Sequence, residues 1–386
     1  MIKRLQFFIG NPRYLSVGLV FAFLSILTSF WATRLPFLKD KIGMTDGNLG
    51  IALFFIPLGA VTAMLLTNKL ITLIGEGRVT IISTGFLTFA FLFPFLAVDF
   101  IQFSASLFFA GIILGLVDVS MNTMAGYFEH EDKVTIMSTC HGFFSLGGMI
   151  GAGIGSILIG LTFDPLLQMI ISGTVVFLIL ILFLAPKLFF IKSSQQSSSD
   201  ATFALPKGPL IPLAVISFCA FISEGAIMDW STIYMQDFLL SDPYVVGFGF
   251  AGFSLFMTLG RFNGDYAISK LGENKVMLYG LIMTVSGNIL VLTATTTTAI
   301  IGFSMMGMGF STLVPIAFSA AARTEQYTSS YGIAAVASAG YVGFLLGPVL
   351  IGLIADQYNL NVSFFFVLLL SGLTLFGILK SRRLFN

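Results

Sequence analysis

Charge is the scarcest thing in this chain: Asp, Glu, Lys and Arg make up 10% of its 386 residues. A soluble domain carries about 25% charged residues, so a chain of this composition belongs in lipid. No basic cluster is present, and the formal net charge is +1, so nothing points to a nucleic-acid partner. Cysteine is almost absent. Cys140 and Cys219 each lie in an apolar stretch, which excludes a disulfide framework and a cysteine metal knuckle. Phosphate loops, His-Glu-x-x-His, a serine nucleophile elbow in context and haem or iron–sulfur spacings are all missing. No catalytic residue, metal site or enzyme activity is therefore expected, and no cofactor beyond a coupling proton.

What the chain does have is apolar length, at 56% hydrophobic residues with 43 Phe. Cutting at polar and Gly/Pro breaks, with about 20 apolar residues needed per crossing, predicts twelve spans. They are 13–38, 46–70, 79–98, 101–126, 136–161 and 166–190, then 209–238, 244–268, 275–295, 298–322, 329–355 and 360–381. The basic start (Lys3, Arg4, Arg13) resembles a signal peptide. However, the run that follows ends in Trp-Ala-Thr-Arg-Leu-Pro without a small-residue cleavage site, so it is read as a retained first span.

The chain also repeats itself. Gly148, Gly151, Gly155 and Gly160 return as Gly340, Gly343, Gly347 and Gly352 at an offset of 192. The break Ile74-Gly-Glu-Gly-Arg-Val79 returns as Leu271-Gly-Glu-Asn-Lys-Val276, and Trp31-Ala-Thr33 as Trp230-Ser-Thr232. Three landmarks in one order indicate a duplicated half. The expected domains are a six-helix half at 1–190, a Ser/Gln-rich cytoplasmic linker at 191–207 and a second six-helix half at 208–386. In an apolar chain, parallel halves of this kind are the layout of a secondary transporter, with its site at the repeat interface. Placing the N-terminus in the cytoplasm puts 16 of the 19 basic residues on that side, so both termini are expected there.

Polar groups inside spans need a reason. Asp118 and Asn122 in span four are four apart and share a helix face. A carboxyl there can load and release a proton, or can be a permanently bonded structural group. Asn122 is a ligand for solute or for Asp118, or helix-contact glue. His141 in span five is a titrating partner or a packing group. Glu224 in span seven is a second proton-coupling candidate. Asp229, nearer the outer end beside Trp230, is assigned to substrate contact, a gate or an ion pair, with Arg34 of span one as a partner at comparable depth. Asn288 and Trp31 complete the substrate-contact candidates. Arg261 and Asp265, four apart at the end of span eight, are expected to pair as a gate. Gly148, Gly151, Gly155, Gly343 and Gly347, with Pro348, are expected to permit close helix packing.

These residues resemble the major facilitator superfamily over essentially the whole chain. Gly260-Arg261-x-x-Gly264-Asp265, followed by Gly272, is similar to its signature turn. In the first half Thr67 and Asn68 stand where Gly and Asp would be expected, while Gly75 and Arg78 persist. Within the superfamily, four segments look like the fucose-permease-like branch of sugar:proton symporters. They are Trp31-x-x-Arg34-x-Pro36, Asp118-x-x-x-Asn122, His141-Gly142-x-x-Ser145-x-Gly147-Gly148 and Glu224-Gly225-Ala226-x-x-Asp229-Trp230-Ser231. The resemblance implies that Asp118 and Asn122 form the proton and substrate site, with Asp for the branch's Glu. That branch's acidic residue on helix one has no counterpart between Arg13 and Asp40, so either Glu224 takes its role or coupling differs. The expected protein is a monomeric, multi-pass transporter of a bacterial inner membrane. It would import a small polar, sugar-like solute with protons, the alternative being a proton-coupled exporter of drugs or metabolites.

Overall fold

Runs of 20 or more apolar residues leave the backbone one way to satisfy its own N–H and C=O groups in lipid, which is helix. In the computed structural model, which describes residues 2–192 and 203–385, every regular element is helical. The helices of the first half are α1 (Ile2–Gly10), α2 (Pro12–Ala32), α3 (Leu35–Ile42), α4 (Asp46–Leu53), α5 (Phe55–Ile74), α6 (Glu76–Ala90), α7 (Phe93–Leu96), α8 (Phe100–Asp132), α9 (Met137–Gly160), α10 (Pro165–Ile179) and α11 (Ala185–Leu188). The second comprises α12 (Leu210–Ile233), α13 (Phe248–Leu271), α14 (Glu273–Leu292), α15 (Thr296–Phe310), α16 (Leu313–Ala322), α17 (Ser329–Gln357) and α18 (Leu360–Ser381).

Among the described residues, eleven helical stretches are long and apolar enough to cross a membrane. The remaining expected span, 244–268, is the 24-residue α13, whose second half carries Arg261, Asn263, Asp265 and Lys270. Several expected spans are two helices end to end. Span one stops at Ala32, and after Thr33 and Arg34 the chain restarts as α3, with Pro36 in its first turn. Span six passes through a π-helical turn at Leu180–Leu184, and span seven ends in another at Tyr234–Phe238. α8 is longest, at 33 residues. At 1.5 Å per residue it measures about 50 Å, so it outruns a hydrocarbon layer of about 30 Å. Its last turn, Glu129 to Asp132, stands beyond the apolar run.

The described chain divides into two compact units. One comprises Met1–Met44, Ala52–Ser198 and Pro243–Val245; the other comprises Thr45–Ile51, Ser199–Asp242 and Val246–Asn386. These differ from the sequence halves at two short segments, because packing and not chain order defines a unit. Within the second unit, Gly50 lies against the backbone of Pro348 and Gly352. Within the first, Ser156 donates its hydroxyl to the Tyr244 carbonyl at 2.9 Å. Residues 193–202 of the expected linker lie outside the described residues.

In the first unit α2 packs on α9 and α5 on α8; in the second α12 packs on α17 and α14 on α15. Small residues make the α2–α9 and α12–α17 pairings possible. A Cβ on Gly151 would sit 2.7 Å from the Ile26 carbonyl oxygen, and one on its repeat mate Gly343 would sit 2.5 Å from that of Phe218. Gly148, Gly155, Gly347 and Pro348 are buried on the same two helices. Large apolar residues such as Phe86, Phe109, Leu182 and Ile282 remain exposed, as lipid-facing positions require.

Candidate functional site

The polar groups of the first unit fall into two places. Midway along α8, Asn122 donates its side-chain amide to the Asp118 backbone carbonyl at 2.8 Å and to the Asp118 carboxylate at 3.2 Å. The helical spacing therefore produces the contact it predicted, and both side chains are half-buried. On α9, His141 is also half-buried and meets the Phe21 ring edge-on at 5.3 Å. Ser145 donates to the His141 backbone carbonyl at 3.3 Å.

The second place is the break after α2. Arg34 is 5% exposed and directs Nε to Gln168 Oε1 at 2.8 Å and Nη2 to the Phe163 carbonyl at 3.0 Å. Its acceptors are a neutral amide and a backbone carbonyl of its own unit. Gln168 was not singled out in the sequence. Its signal was a lone amide inside the most apolar run of the first half.

Trp31 and Trp230, both expected as substrate contacts, lie inside their own units. Trp31 is 2% exposed with its ring 5.3 Å from that of Phe91, and Trp230 is fully buried beneath Gly352. Their large apolar rings fill the interior of their own units. Asn288, also expected as a substrate contact, lies on α14. It is fully buried, and its amide, oriented to satisfy both neighbours, donates to the Phe364 carbonyl at 3.2 Å and accepts from the Leu368 N–H at 3.3 Å. Its polar atoms therefore join α14 to α18.

In the second unit Glu224 is half-buried on α12 and Asp229, a turn and a half further on, is 6% exposed. Arg261 of α13 is half-buried, whereas Asp265 is exposed. The opposite charge acting on Arg261 is Glu224. Glu224 therefore acts on Arg261 from the neighbouring helix α12. No local spacing announces this pairing of charges, since the two residues are far apart in sequence. Glu129 was equally silent: its carboxylate accepts the N–H groups of Ile136 and Met137 at 2.6 and 2.8 Å, closing the start of α9.

A chain of long helices, without strands among the described residues and with intramembrane acids on the fourth and seventh spans, matches a family model. The model of the Major Facilitator Superfamily matches residues 14–241 and 213–383. The chain belongs to the major facilitator superfamily. An uncharacterised superfamily transporter of Yersinia pestis is 34% identical over 362 residues, covering 94% of both chains. The membrane protein MosC of Rhizobium meliloti is 29% identical over 365 residues, covering 92% of this chain and 86% of that one. Among solved structures, the nucleoside transporter NupG aligns over 97% of this chain and 99% of its own, with a TM-score of 0.71 at 15% identity. A bacterial homologue of the lysosomal transporter Spinster aligns over 97% of both, with a TM-score of 0.68 at 12% identity. Those structures establish a shared superfamily fold, and the chain is a multi-pass membrane transporter.

Proposed function

We propose that this superfamily member is a secondary active importer of a small polar solute, coupled to protons and sugar-like in its substrate class. The observation that carries the reading is the Asp118–Asn122 contact on α8. It places a proton-exchanging carboxyl beside an amide that can bond a hydroxyl, both half-buried on a spanning helix. Glu224, half-buried on α12 with Arg261 as its opposite charge, supplies a second acid for the cycle. The resemblance to the fucose-permease-like branch supports a polyhydroxylated substrate. The nucleoside transporter among the structural neighbours adds ribosides to the class, since they too present sugar hydroxyls. The chain works as a monomer in the cytoplasmic membrane of a bacterium, with both termini inside.

The test is a thermal-shift screen of purified protein against sugars, nucleosides, organic acids and cationic drugs, followed by uptake of each hit into proteoliposomes. Accumulation of a sugar or nucleoside along an inward proton gradient is the expected result. Stabilisation by cationic drugs alone, with efflux against protons, would replace this reading by that of an exporter.

A further inference from the structure

The first unit holds a cavity of about 800 Å³ that the transport site does not use. Its volume is in the range of ligand pockets, about 300–1,000 Å³. Phe7, Asn11, Arg13, Tyr14, Asp132 and Lys187 are among its lining residues. They come from α1, the start of α2, the end of α8 and α11. Those are the chain ends of spans one, four and six, so the cavity lies at one membrane face whichever way the protein is oriented.

We propose that this cavity binds the phosphodiester headgroup of an anionic phospholipid. Two exposed cations, Arg13 and Lys187, line it against a single carboxylate. That carboxylate, Asp132, already accepts the Tyr14 hydroxyl at 2.7 Å. Asn11 caps α2 by accepting the Arg13 N–H through Oδ1 at 2.9 Å, which leaves its Nδ2 as a further donor. The amino end of the 21-residue α2 adds its positive dipole in the same place. Donors and positive charge therefore dominate, which selects an anion.

The rim selects lipid as its source. On α1, Phe8 is buried against Gly18 and Phe143, while Phe7 and Ile9 are 54% and 48% exposed. An amphipathic helix of this kind lies in the interfacial plane, with its apolar residues among acyl chains. Phe7 thus brings an acyl environment to the mouth of a cationic cavity, an arrangement with no use for a free aqueous ion.

Native mass spectrometry of the purified full chain tests this, using phosphatidylglycerol, phosphatidylethanolamine and inorganic phosphate as separate probes. Phosphatidylglycerol is expected to bind most tightly and to be weakened by salt. Arg13→Gln with Lys187→Gln should weaken it by about thirtyfold, at about fivefold per cation near a membrane surface. Arg13→Lys with Lys187→Arg should retain it, which separates charge from misfolding. Undiminished binding by the neutral pair overturns the proposal. So does loss of binding in the charge-preserving pair, equal retention of phosphatidylethanolamine, or displacement of the lipid by an equal concentration of inorganic phosphate.

Discussion

Asn122 holds one Asp118 carboxylate oxygen at 3.2 Å while the same nitrogen bonds the Asp118 backbone carbonyl at 2.8 Å. A single amide thus fixes the carboxyl's orientation relative to its own helix. The other carboxylate oxygen is left for a proton or a solute hydroxyl, the arrangement a site needs if protonation and binding are to influence each other.

Asp118→Asn should abolish uphill uptake while leaving folding and counterflow exchange largely intact, because the isostere keeps the shape but cannot cycle a proton. Parallel assays of gradient-driven uptake and counterflow in proteoliposomes read both. Normal accumulation by the variant would transfer the coupling role to Glu224.

The electrostatic influence of Glu224 on Arg261 should appear as a coupling energy. In a double-mutant cycle of Glu224→Gln and Arg261→Gln, the expected interaction is about 0.5–3 kcal/mol, measured by unfolding in detergent. A parallel cycle of Arg261 with the exposed Asp265 should give a smaller value. The reverse order would restore the gate that four-residue spacing alone suggests.

Gln168→Leu should destabilise the first unit by about 1–3 kcal/mol, because it leaves a buried guanidinium short of an acceptor. Arg34→Lys alone should also destabilise the unit, since an ammonium cannot reproduce the two-nitrogen approach to the Gln168 amide oxygen. Melting temperatures of the two single variants and the double variant decide it.

Asn288→Ala should lower stability by a similar amount, about 1–3 kcal/mol, by leaving backbone groups of α18 without their bridge. Once a substrate is identified, its KM should stay within about twofold of wild type. A large rise in KM with unchanged stability would return Asn288 to the binding site.

Gly343→Val should cost about 1–3 kcal/mol, since its side chain would meet the Phe218 carbonyl and two spans would have to separate. Gly151→Val should behave alike in the first unit, against the Ile26 carbonyl. Thermal unfolding is the measure, and tolerance at both positions would show that the α2–α9 and α12–α17 pairs have slack.

Composition and periodicity alone determined that the chain spans a membrane as helices, where those helices begin and end to within a few residues, and that its two halves are repeats. Lipid leaves a backbone no alternative to helix, so apolar length is read almost directly. Spacing also determined the Asp118–Asn122 contact, because residues four apart on a helix are neighbours wherever that helix packs. Contacts between distant segments were decided only in three dimensions. Arg34 met Gln168 and Phe163, Arg261 had Glu224 as its opposite charge, and Asn288 bridged to α18, each across more than thirty residues of sequence. Trp31 and Trp230 read as site residues by their motifs, and only packing showed that both rings are buried among neighbours of their own units. In one dimension a polar or aromatic residue in a span has a helix face but no neighbour, and the packing of other helices against that face decides what it does.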